Sequence, residues 1–295
     1  METLVYRKII VTQAESCVAL SGPRQLSFET DDQFKVSIFQ HGIRSVEIAF
    51  ADLVPCDKLF SEFLNIEKLL MLLDGRFYSL KEIDFSDGVQ GNNDKTDKYV
   101  NYIREHRLGF YSSKDFCKYS FIKLINFDDV LNSDVYAKWK DLLEQMDISY
   151  QVFLYALADN KNPVDMNFAF LVELAEPFVE LIKDNTYYCQ TLCPGERGTT
   201  LKMCVDSLIT LFGTDIFEKE LSANYKDFLD NTIGSRIRVM HIKKNQNKYW
   251  QGKDCVRYSM KFSILYRRIL LEILGIQYDK YKEALINAVQ KIDRI

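Results

Sequence analysis

Apolar and polar residues alternate along the first hundred positions. Residues 4–11, 16–20, 25–29, 34–39 and 44–50 each read as a short strand, separated by Ser-Gly-Pro, Asp-Asp and His-Gly turn signals. In Val46, Ile48 and Phe50 the period of two puts the apolar side chains on one face. The period then lengthens. Leu59, Phe60, Phe63, Ile66, Leu70 and Leu73 recur at helical spacing, with Asp57 expected to cap the start of that helix and Gly75 to end it. Residues 77–85 resume strand, residues 86–98 hold no apolar residue but Val89 and predict a mobile loop, and residues 119–127 predict a last strand.

From Asp134 onward the texture is helical. Trp139, Leu142, Leu143, Met146, Tyr150, Phe153, Leu154 and Leu157 form one amphipathic stripe; residues 168–182 form a second, and residues 201–212 a third. Further helices are predicted over 217–240, over 256–274 with Gly275 as terminator, and over 281–292. The change of period predicts an α+β chain. A mostly antiparallel β-rich domain over 1–130 precedes an antiparallel helical bundle over 131–295, since amphipathic helices without a sheet can bury their stripes only on one another.

Composition narrows the function classes. With 47% hydrophobic residues, 12 Gly and 5 Pro in 295, the chain is neither disordered nor collagenous. The longest apolar run, 264–276, is broken by Arg267, Arg268 and Glu272 and is too short for a bilayer, so no membrane segment is expected. The start lacks the apolar core of a secretory signal, which predicts a cytoplasmic protein. Seven widely spaced cysteines, an odd number, argue for reduced thiols; Cys189 and Cys193 form a C-x3-C pair with no second half nearby, so no metal and no other cofactor is predicted. The glycines of the stretch Cys193 to Gly198 lack the Gly-Lys-Ser/Thr of a nucleotide-binding loop and read as a turn. Of the three histidines, His41 sits in a turn and His106 in a charged run, and neither has a partner in sequence.

The chain sums to −4, yet residues 236–268 hold ten basic residues against one acid, Asp254. Such a local concentration can hold a phosphodiester backbone, with Tyr249 and Trp250 available for base stacking. Arg238, Lys243, Lys244, Lys248, Trp250, Arg257 and Lys261 are the candidate RNA-binding residues. The alternative is a solvated helix face with a packed Trp250. At the head of this segment stands Arg236-Ile237-Arg238-Val239-Met240-His241, an R-x4-H spacing. Five helical positions rotate by about 140° net, so both side chains reach one site only where the helix is ending or where a second subunit completes it. An Arg holds phosphate oxygens bidentately while a neutral imidazole takes the proton from a ribose 2′-hydroxyl. For the six residues alone, a histidine capping helix carbonyls and an arginine paired with an acid remain an open alternative.

The order of these features, a β-rich half, an apolar helix carrying Glu176, the R-x4-H, a basic loop and a long helix ending Leu270 to Ile276, resembles the ApeA-type HEPN family. The letters match only in the C-terminal 130 residues. The resemblance implies a HEPN-like bundle with metal-independent endoribonuclease activity, a homodimer whose paired motifs form one composite site, and a part in antiviral defence or toxin-like cleavage of RNA such as tRNA or mRNA. It makes Arg236 and His241 the catalytic pair and Glu176 a polar support. The family usually carries Asn or Asp directly after the motif Arg, where this chain has Ile237. The reading from another class is a non-catalytic nucleic-acid-binding or protein-interaction module on the same bundle.

Overall fold

The computed structural model describes residues 4–14, 23–75, 79–88, 93–107, 122–146, 148–157, 162–185, 200–243 and 245–295. The chain is α+β and forms two compact units, one of residues 1–116 with 125–141, the other of residues 117–124 with 142–295.

Five strands make one sheet in the first unit: β1 (Val5–Ala14), β2 (Arg24–Glu29), β3 (Phe34–Gln40), β4 (Ile43–Pro55) and β5 (Ser79–Ser86). Their order is β2-β3-β4-β1-β5 and every neighbouring pair is antiparallel. The alternation seen in sequence is the cause: Ile9 and Val11 of β1, Phe34, Val36 and Ile38 of β3, and Val46 and Ile48 of β4 are all buried. Helix α1 (Cys56–Asp74) packs on β1 and β4 and buries Leu59, Phe60, Phe63, Ile66, Leu70 and Leu73. It stops at Gly75, whose left-handed φ of 74° lets its N–H return to the Met71 carbonyl at 2.6 Å. Asp57 is not the cap. Pro55 holds that position, and Asp57 lies in the first turn, accepting the Tyr99 hydroxyl at 2.6 Å. One end of the sheet is polar inside: Gln13, Arg44 and Gln40 are cross-strand neighbours, and Arg44 donates to Gln13, Glu67 and Asp74.

Two expectations fail here for local reasons. Within the expected loop 86–98 begins α2 (Asn93–Tyr102), followed by a π-helical turn Ile103–Arg107. Its anchors lie late, since Ile103 is buried and Thr96 bonds Tyr6, so the polar letters at its start hid it. The expected strand 119–127 is irregular over 122–126 and ends in a 3-10 turn Phe127–Asp129, which Arg24 fastens through Asp128 at 2.7 and 2.8 Å. The strand expected at 16–20 lies outside the described residues. The division between units falls inside α3 (Ser133–Met146).

The second unit is helical: α4 (Ile148–Leu157), α5 (Val164–Glu173), α6 (Ala175–Asn185), α7 (Leu201–Phe212), α8 (Glu218–Ser222), α9 (Tyr225–Met240), α10 (Lys253–Ile273) and α11 (Lys282–Ile292). Helix α10 packs against α5, α6, α7 and α11. Its Tyr266 is fully buried among Phe153, Phe178 and Phe262, with its hydroxyl donating to the Leu171 carbonyl at 2.5 Å. Two of the amphipathic stripes are each carried by two helices. Pro177 has no N–H to continue a helix from Glu173, so α5 ends and α6 restarts after Leu174. The 217–240 stripe splits because Asn224 caps α9, accepting the Asp227 N–H at 3.2 Å. No helix among the described residues is long and apolar enough to cross a membrane.

Candidate functional site

The end of α9 decides how Arg236 and His241 meet. His241 donates its backbone N–H to Ile237 O at 3.1 Å; Ile242 donates to Val239 O at 3.4 Å and Lys243 to Arg238 O at 3.1 Å. This is a Schellman closure, and it requires a left-handed residue at Ile242, whose φ is 51°. A β-branched side chain is strained there. The Ile242 side chain is 83% exposed, so packing does not repay that strain. Ile242→Gly is therefore expected to stabilise the unit by about 1 kcal/mol, read as a higher melting temperature. An unchanged melting temperature would show that the turn carries no strain.

With the helix closed at that point, Arg236 Nη1 and His241 Nε2 stand 2.9 Å apart. Guanidinium has only donors, so Nε2 is the acceptor and the neutral ring carries its proton on Nδ1. The other edge of Arg236 is held by Glu173, the last residue of α5: Nε meets Oε2, and Nη2 donates to Oε1 at 2.9 Å. Glu173 raises the Arg236 pKa through these hydrogen bonds. Among the described residues three of the five guanidinium N–H donors are thus engaged, leaving one on each terminal nitrogen. Glu173 makes this contact. Glu176 is exposed and acts on Arg236 through its charge.

The basic segment is mostly neutralised inside the fold. Lys261 is fully buried and bridges Glu220 and Asp293, each at 2.8 Å. Arg257 pairs with Asp254 at 3.1 Å, Arg268 with Asp215, and Lys248 with Asp227 and Asp230 at 2.7 and 3.0 Å. Lys202 and Lys248 together pull the Asp230 carboxyl down to about 2. Lys261 presents no charge to solvent, so it is not available to RNA as the basic segment suggested. Trp250 is packed beside Tyr258 and Phe228, donating its indole N–H to Thr232 at 3.2 Å, so its ring is no free stacking platform. Arg238 lies over the Tyr249 ring at 3.8 Å, and Lys243 is exposed. Lys244, Cys189, Cys193 and the stretch 193–198 lie outside the described residues, as does the His106 side chain; His41 is exposed in its turn. No group of three His, Cys, Asp or Glu among the described residues could hold a metal ion.

Residues 245–250 return along α9 because Gly234 lets them. A Cβ at Gly234 would lie 1.8 Å from the Lys248 carbonyl oxygen and 2.6 Å from the Gln246 amide. The close approach brings the Trp250 N–H to Ser235 Oγ at 2.7 Å and opens a cavity of about 320 Å³ lined by Asp165, Arg238, Tyr249 and Trp250 among others. Gly234→Ala should push the segment away, cost about 1–3 kcal/mol and shift tryptophan fluorescence toward the red. Unaltered emission would mean that the segment absorbs the methyl group without moving.

No family model, curated protein or solved structure matches this chain. The chemistry therefore rests on the site: an arginine and an imidazole in contact at an exposed helix end, fixed from below by a carboxylate on α5. The R-x4-H spacing was legible in sequence. Glu173 was visible only as one acid in the row Glu173, Glu176, Glu180, and its selection depends on where α5 crosses α9.

Proposed function

We propose that the chain is a metal-independent endoribonuclease of the HEPN type, cleaving RNA to a 2′,3′-cyclic phosphate. The observation that carries this reading is the 2.9 Å contact between Arg236 Nη1 and His241 Nε2 at the solvent-exposed end of α9. An RNA phosphate entering there offers Arg236 a better acceptor than imidazole, because the charge-assisted bond to a phosphate oxygen is the stronger one. Arg236 turns its remaining donors to the phosphate and releases Nε2, which accepts the 2′-hydroxyl proton. The 2′-oxygen then bonds to phosphorus, the bond from phosphorus to the 5′-oxygen breaks, and solvent protonates the departing oxygen. Arg236 meanwhile stabilises the charge growing on the phosphate oxygens. Glu173 serves as a positioning residue that keeps the guanidinium plane aimed at the helix end.

The homodimer implied by the resemblance belongs to the same proposal. The Arg236–His241 contact forms within one chain, so a two-fold partner would bring a second complete pair rather than the missing half of one. Light scattering at micromolar concentration reads the stoichiometry. The decisive experiment is incubation of the purified protein with total RNA, with and without chelator, followed by end-group analysis. Cleavage that survives EDTA and leaves cyclic phosphate ends supports the reading; loss of cleavage in EDTA overturns it. RNA retained but uncut would favour the binding-module reading, in which the Glu173–Arg236–His241 chain is a structural clasp.

A further inference from the structure

The cavity beside the end of α9 holds a cation and an anion that do not pair. Arg238 and Asp165 both line it, yet among the ion pairs of the described residues none joins them. Among the described residues the Arg238 guanidinium has no carboxylate partner and sits over the Tyr249 ring, 3.8 Å from its centroid, a contact that consumes no N–H donor. Asp165, in the first turn of α5, is exposed and, among the described residues, accepts the Met166 N–H alone, at 3.1 Å. A carboxylate has about four lone-pair sites, so most of its capacity is unused. A cavity lined by both an unpaired donor set and an acceptor with spare capacity fits a ligand that carries the complementary groups.

We propose that this cavity is a guanine-binding subsite for single-stranded RNA, with Asp165 and Arg238 as its specificity residues. Guanine alone among the four bases offers two adjacent N–H donors, N1 and N2, for both oxygens of one carboxylate, together with two adjacent acceptors, O6 and N7, for the fork of an arginine. Adenine and cytosine each offer a single amino group, and uracil a single ring N–H. The cavity, at about 320 Å³, falls at the small end of the range typical of ligand pockets, the size expected of a single base or nucleoside rather than a whole oligonucleotide. Its walls belong to α5, α9 and the segment that Gly234 admits, so the subsite is built on the same helix as Arg236 and His241. As a subsite of the cleavage centre this inference rests on the ribonuclease reading, although guanine binding itself does not.

The test separates the two. Fluorescence anisotropy would compare oligouridines carrying one central guanosine, inosine or adenosine, all with 2′-O-methyl riboses that cannot be cleaved through the 2′-hydroxyl. Inosine lacks only the N2 amino group, so the guanosine oligomer should bind about tenfold more tightly than either other. Asp165→Asn should erase the guanosine-over-inosine difference, and Arg238→Gln should weaken the guanosine oligomer most. Equal binding of all three oligomers by the unaltered protein, or a guanosine preference that survives Asp165→Asn, would overturn the inference. Cleavage of ordinary RNA without preference for guanosine-adjacent bonds would overturn it and leave the ribonuclease reading standing. Guanosine-selective binding by a protein that cuts no RNA would do the reverse.

Discussion

His241→Ala is expected to abolish RNA cleavage while the protein stays folded. Loss of a positioned general base costs about 10²–10⁴-fold, and no other imidazole is described near the end of α9 to replace it. Arg236→Ala should cost about 10²–10³-fold through lost stabilisation of the phosphorane charge. Arg236→Lys should rescue little, because an ammonium can neither hold two phosphate oxygens in one plane nor keep both contacts to Glu173. All three substitutions lie at a partly exposed ion pair, where the stability cost is about 1 kcal/mol or less. Initial rates on a fluorogenic RNA, with circular dichroism melting on the same samples, check both halves. Full activity in His241→Ala would refute the mechanism.

Lys261→Ala should have the largest effect on stability of any single change in the basic segment. Glu220 and Asp293 both converge on this fully buried ammonium at 2.8 Å, and its removal leaves the buried Glu220 without this counter-charge and Asp293 with Lys219, at 3.3 Å. Breaking such a buried arrangement costs about 3–5 kcal/mol. Arg257→Ala, four residues earlier on the same helix, removes an i,i+3 pair that is partly exposed and should cost under about 1 kcal/mol. Urea unfolding of the two variants measures the contrast. Equal losses would mean that the segment's charges act as one surface rather than as separate internal ties.

What could be read from sequence followed the range of the interactions involved. The strands β3 and β4 and the helix stop at Gly75 are set by neighbours two to four residues away, so alternation and a single glycine revealed them. The meeting of Arg236 and His241 also depends on local geometry, the end of α9. The pairing of Lys261 and Arg268 could not be seen in the basic segment because their counter-charges come from far along the chain: Glu220 lies 41 positions from Lys261, and Asp215 lies 53 from Arg268. Glu173 lies 63 positions from Arg236 and could be chosen over Glu176 only once α5 and α9 were packed. Gly234 gave no sequence signal either, since a glycine inside a helix pattern does not say which backbone approaches it.

The Lys261 triad also sets an order of events during synthesis. Glu220 precedes Lys261 in the chain and is available as soon as α10 forms, whereas Asp293 follows it by roughly 30 residues, a delay of a few seconds at ribosomal rates. Over that interval the nascent bundle carries a lysine facing one carboxylate where the finished fold supplies two. Closure of α11 over α10 is therefore the step that brings Asp293, which Lys219 also meets at 3.3 Å, onto the Lys261–Glu220 pair, and a chain arrested before residue 293 should remain open to proteases at α10 and α11 even with the Arg236–His241 contact already formed.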